Sequence, residues 1–233
     1  MFSMDYDYAR ITIEVLSVIA CLVLVKFMIK PYQLKKQSMY LGLPIGFGIL
    51  GLSFALTILL LIPPLYHNAA LSWFAHFTRV YAFIFLAITY YFSNKSEKRL
   101  LWDLTLSLVI VAFIASALVL IYTPQDTLSN YTVALTFVRI LSIVVLSYII
   151  IHTFRIHKAN PKLTPYWISL GFLFLTLSQV WALTCNLLRG YLDSNYTDII
   201  SWVAFAVRLA GLAIFLFVTY RTFYSSEGMG HNR

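Results

Sequence analysis

Residues 132–153 read TVALTFVRILSIVVLSYIIIHT, and this stretch decides the fold. At 1.5 Å per residue a helix of this length crosses about 30 Å, the thickness of a bilayer's hydrocarbon core. It carries one formal charge, Arg139, where a helix on a soluble protein would interleave charges along its outward face. Comparable runs recur at about 9–29, 39–62, 71–93, 100–122, 164–187 and 199–220. The expected architecture is therefore an all-α integral membrane protein, one domain over residues 1–233, built as a bundle of seven transmembrane helices.

Composition agrees. The chain is 61% hydrophobic and 11% charged, against about 45–50% and about 25% in soluble proteins. Its net charge of +8 raises the question of nucleic acid, but the cations sit in short clusters between apolar runs, where topology signals sit. Nucleic acid is excluded as a partner on that ground; the bilayer is the expected one. Lys26, Lys30, Lys35 and Lys36, then Lys95, Lys98 and Arg99, then Arg155, Lys158 and Lys162, and finally Arg221 and Arg233 fall on one set of junctions, while Arg10 and Arg189 fall on the other. By the positive-inside rule the N-terminus lies outside and the C-terminus in the cytosol of a plasma-membrane protein. Asp5 and Asp7 replace the basic region of a signal peptide, so the first span is expected to stay in the chain. The segment after Tyr220 is too short for an effector domain, so any signal is expected to pass to a separate membrane-protein partner.

Internal similarity suggests a plan. Arg10, Arg79, Arg139 and Arg208 each stand early in an odd-numbered span, and the separation of Arg10 from Arg139 equals that of Arg79 from Arg208. Gly46, Phe47 and Ser53 of span 2 match Gly171, Phe172 and Ser178 of span 6. Ser129–Thr132 and Ser194–Thr197 are a further echo. A parallel 3+1+3 repeat would give this pattern; chance similarity among apolar helices is the alternative. Small sugar transporters share such a plan, so it admits a transporter by analogy of layout.

Charges inside a bilayer are expensive and tend to mark function. Arg79, Arg139 and Arg208 share a depth of roughly 12–15 Å below the outer interface, counted at 1.5 Å per residue, and Glu14 is the one acid at membrane depth. A planar guanidinium suits a carboxylate, phosphate or sulfate. The expected ligand site is an outer-half pocket of Arg79, Arg139, Arg208, Glu14 and His76, walled by Trp73, Tyr81, Trp181 and Trp202, holding an anionic lipid or an anionic or amphiphilic small molecule. The alternative is that the arginines bond carbonyls or Glu14 and merely fix the bundle. Glycines 42, 46, 48 and 51 form a packing face, and Pro44 marks a tolerated kink or, as the alternative, a gating bend. Asn130 and Asn195 satisfy Asn-x-Ser/Thr and are candidate glycosylation sites, or else helix caps.

No cofactor or metal is expected. Span 7 lacks the lysine a retinal Schiff base needs, the histidines do not pair across the bundle, and Cys21 and Cys185 are too few for a disulfide framework. Cys185 with Arg208 lacks the histidine that cysteine transpeptidase chemistry would want, so the expectation is a non-enzymatic, receptor-like or accessory protein. A solute transporter and a structural subunit of a larger complex are the other readings.

Overall fold

The computed structural model describes residues 2–35, 41–62, 68–92, 99–122, 131–159, 166–188 and 194–224. They form helices α1 (Phe2–Met28), α2 (Lys30–Lys35), α3 (Gly42–Leu59), α4 (Ala69–Phe92), α5 (Arg99–Tyr122), α6 (Tyr131–Ala159), α7 (Tyr166–Leu188) and α8 (Ser194–Tyr224). All except α2 are long and apolar enough to span a membrane, seven in number, so the chain is a multi-pass membrane protein.

Several helices outrun their apolar cores. α6 continues through His157 and Lys158 in its last turn, and α8 begins at Ser194, five residues before the apolar run suggests. Backbone hydrogen bonding is indifferent to hydropathy, so a helix extends into polar residues beyond the hydrocarbon layer. Lys26, His157 with Lys158, and Arg221 stand in the last turns of α1, α6 and α8, where cations also complement the helix dipole. The end of the bundle they occupy is called the basic end here, and the opposite one the N-terminal end. Pro44 lies in the first turn of α3, where a missing N–H leaves no bond unmade, and so it need not kink the helix.

Helix neighbours follow a closed circuit. α1 packs on α3, α3 on α4, α4 on α6, α6 on α7, α7 on α8, and α8 returns to α1, while α5 leans on α4 from outside. The most extensive pairings are α7 with α8 and α3 with α4. α5 accordingly presents Leu104, Leu108, Val111, Ile114 and Leu118 outward, as lipid-facing residues do.

Close approach within the circuit depends on small residues. A Cβ on Gly211 of α8 would sit 3.1 Å from the Gly171 carbonyl oxygen and 3.3 Å from the Leu175 nitrogen. Backbone atoms cannot yield as a side-chain tip can, so Gly211→Val is expected to cost about 1–3 kcal/mol, measured as a lowered unfolding midpoint in bicelles. Gly46 and Gly51 play a related role on α3, seated against Leu86 of α4 and Cys21 of α1.

The interior toward the basic end is filled by aromatic rings. Phe215 meets Phe172 edge-on at 4.7 Å and Phe47 at 5.3 Å, and Tyr90 meets Phe172 at 5.3 Å and 89°. These contacts join α3, α4, α7 and α8 across the circuit. Edge-to-face geometry sets the positive rim of one ring on the negative face of the next, adding about 0.5–1.5 kcal/mol per pair beyond simple contact. At the same end His152 Nε2 lies 2.8 Å from the Tyr90 carbonyl oxygen, tying α6 to α4.

Candidate functional site

Toward the N-terminal end the interior becomes polar. Glu14 of α1 and Arg208 of α8 are 1% and 4% exposed, and Glu14 Oε2 lies 3.1 Å from Arg208 Nη2. This contact has the distance of an ion pair but not the alignment of a hydrogen bond, and Arg208 Nε has no hydrogen-bond partner among the described residues. Arg208 also stands over two rings, Phe54 at 4.4 Å and Phe205 at 5.2 Å. Arg10, one turn before Glu14, reaches the same Phe205 at 5.9 Å.

Arg79 of α4 shares Phe54, at 5.0 Å. Its Nε donates to Ser53 Oγ at 3.3 Å and its Nη2 to Thr57 Oγ1 at 3.4 Å. Both acceptors are set by helix chemistry. Ser53 and Thr57 are one turn apart on α3, and each donates its hydroxyl proton to a backbone carbonyl, of Leu50 and of Ser53 respectively. With that proton committed, each hydroxyl offers only lone pairs to the guanidinium. Arg139 of α6 donates from Nη1 to Gln179 Oε1 of α7 at 3.5 Å. All three bonds end on neutral acceptors and are long beside the roughly 2.7–2.9 Å of a charge-assisted bond.

Glu14, Arg208, Arg139 and Arg10 all lie within direct electrostatic reach of Arg79. Among the described residues the cluster thus sets four guanidinium groups against one carboxylate. Guanidinium groups donate hydrogen bonds and stabilise negative charge. The arrangement offers hydrogen-bond donors and positive charge to an anion.

The predicted site residues divide. Glu14, Arg79 and Arg208 come together in the interior; Arg139 is half-buried and reaches the cluster from α6. His76 lies on α4 one turn before Arg79, half-buried and within reach of the charges of Arg79, Arg139 and Arg10. Tyr81 turns away from the cluster: its hydroxyl lies 2.8 Å from Ser116 Oγ of α5, and its ring meets Phe113 at 5.1 Å. Trp181 is 43% exposed on the outside of α7 and is not brought to the arginines. The Trp202 ring meets that of Phe205 at 6.3 Å. Asn130 lies outside the described residues, and Asn195 falls in the first turn of α8. Cys185 Sγ contacts Ser201 Oγ at 3.4 Å, while the carboxylate facing Arg208 is Glu14.

The aromatic wall is made instead by Phe54 and Phe205, with Ser53, Thr57 and Gln179 as acceptors. Ser53 and Thr57 carry a signal in their spacing, since two hydroxyls one turn apart on an apolar helix face a common partner. Phe54 and Phe205 carry none, being two of 18 phenylalanines. Elsewhere, a lateral groove of about 320 Å³ runs between α4, α5 and α6, lined by Ala87, Ile88, Tyr91, Phe92, Thr105 and Tyr148. It is apolar and holds none of the buried charges.

Fold and site define a seven-helix multi-pass membrane protein with a cationic interior near one end. Comparison with protein-family models, with curated proteins and with solved structures finds no match.

Proposed function

We propose that this chain is a receptor-like, non-enzymatic protein of the plasma membrane, with its N-terminus outside, that binds an anionic or amphiphilic ligand among Arg79, Arg139 and Arg208. The observation that carries the reading is the set of guanidinium groups of Arg208, Arg139 and Arg10 within electrostatic reach of Arg79, with Glu14 the one carboxylate there among the described residues and Arg79 itself held by long bonds to neutral hydroxyls. A desolvated cation held as Arg79 is gains from a ligand whose oxygens are charged. The orientation rests on the Lys and Arg excess at the basic end. With the cluster then facing outward, the ligand is an external solute or an outer-leaflet headgroup, and the bound state is read by a membrane-protein partner.

Alanine at Arg139 or Arg208 is expected to weaken binding of dodecyl phosphate by at least about tenfold, the worth of one hydrogen bond to a charged group. Calorimetry on the protein in nanodiscs measures it. Unchanged affinity in both variants would sink the pocket.

A second reading, a small-solute transporter, is favoured by the helix circuit. Exchanging α1, α3 and α4 for α6, α7 and α8 leaves every neighbour pair of the circuit matched: α1–α3 with α6–α7, α3–α4 with α7–α8, and α4–α6 with α8–α1. Details follow the same exchange. Gly46 sits against Leu86 as Gly171 sits against Phe215, and Ser53 bonds the Leu50 carbonyl as Ser178 bonds that of Leu175. These correspondences support a 3+1+3 repeat with α5 as the linker. Anion flux in proteoliposomes tests it, with electrically silent, uncoupled membranes as the outcome against it.

A further inference from the structure

We infer that Glu14 is a built-in stand-in for the ligand: its carboxylate occupies Arg208 until a phosphate-type oxyanion, free or on a lipid headgroup, replaces it and releases α1 from α8. The inference rests on the anion-binding reading and adds which group the anion displaces and which helix seam it frees.

The geometry of the pair is the first argument. A permanent partner of a buried guanidinium is commonly bidentate, two parallel N–H···O bonds in one plane. Here one carboxylate oxygen stands 3.1 Å from one nitrogen, out of hydrogen-bond alignment, and Nε is left without a partner among the described residues. Arg208 is nevertheless 4% exposed, so bulk solvent does not make up the difference. The hold is electrostatic and replaceable.

The second argument is reach. Arg79 and Arg208 share the Phe54 ring, and the acceptors now serving Arg79 are neutral hydroxyls at the long end of bonding distance. A tetrahedral oxyanion presents several charged oxygens in different directions, and so can serve both guanidinium groups where Glu14, fixed to α1, serves one.

The third is location. The circuit has two seams where the helix triplets meet, α1 with α8 and α4 with α6. The α4–α6 seam is tied at the basic end by His152 and the Tyr90 carbonyl. The α1–α8 seam is tied at the N-terminal end by Glu14 and Arg208, supported by Arg10 over Phe205. Displacing the carboxylate therefore loosens one seam at one end and leaves the other tied, converting occupancy into a helix movement.

The experiment uses the full chain in phosphatidylcholine nanodiscs titrated with inorganic phosphate, and in parallel nanodiscs containing phosphatidic acid without free phosphate. Glu14→Gln, which keeps an amide oxygen for Arg208, is expected to bind at least about tenfold tighter than the natural chain, because a unit charge a few ångströms from the anion is gone. In the natural chain, binding is expected to shift the carboxylate stretch of Glu14 in infrared difference spectra, a band absent from Glu14→Gln; this readout decides the matter if the variant does not fold. Response to only one of the two sources assigns the free anion or the lipid headgroup. Binding by the natural chain with equal or weaker binding by Glu14→Gln and an unmoved band would overturn the stand-in role while leaving anion binding in place. No binding of either source by either protein would overturn both.

Discussion

Glu14→Ala is expected to lower unfolding stability by about 3–5 kcal/mol, among the largest effects of any single substitution in this chain. The cause is less the attraction lost than the charge left behind: Arg208 remains 4% exposed with the one described carboxylate in contact with it removed. In the bilayer such a cation has neither water nor a counter-ion, and the bundle must distort to bring it one. The companion substitution separates this account from a simple loss of packing. Glu14→Leu combined with Arg208→Met removes both charges and keeps the volume, and is expected to recover most of the loss, as replacing buried ion pairs with apolar residues commonly does. Reversible unfolding in bicelles, read by tryptophan fluorescence, gives all the values of the cycle. A double variant no better than the single one would mean that Glu14 acts through shape.

Phe215→Ala is the second. This ring touches Phe172 and Phe47 at 4.7 and 5.3 Å and rests where Gly171 has no side chain. In a water-soluble core such a truncation costs about 3–5 kcal/mol, part of it the transfer of apolar surface out of water. In a membrane the unfolded reference already sits in hydrocarbon, so only lost dispersion contacts and the cavity count, and the expected cost falls to about 2–3 kcal/mol. Gly171→Ala approaches the same ring from the other side: its Cβ would lie 2.8 Å from Phe215 Cζ. Its cost should shrink in the Phe215→Ala background, where the space it needs is open. Additive losses, measured in the same unfolding assay, would show that the two sites do not share this contact.

The seven spans were legible because one rule governs them: a helix that must cross hydrocarbon satisfies its own backbone and exposes only apolar side chains, and little else produces runs such as 132–153. The charged residues of the site were legible for the converse reason. Glu14, Arg79 and Arg208 are conspicuous in apolar surroundings, and their cost in the bilayer forces them inward, where they are found. Helix ends were less so, as α6 running on to Ala159 shows, since hydropathy reports the hydrocarbon boundary and not the last hydrogen bond.

The number of spans, the class of protein and the identity of the interior charges can thus be read from the order of residues alone. Which way each helix faces was decided only in three dimensions. Lipid on one side and protein on the other are both apolar, so the helices carry no strong polar stripe to mark the buried face. Trp181 and Phe54 are both large aromatic residues within spans, yet one is 43% exposed on α7 and the other, 1% exposed, lies beneath two guanidinium groups. Tyr81, two residues after Arg79, is carried by the helical turn toward α5 and away from the site. The closed circuit, the pairing of Glu14 with Arg208 rather than with Arg79 or Arg139, and the exclusion of α5 depend on how helix surfaces fit against one another. That fit is a property of facing pairs of helices, and no single stretch of the chain contains it.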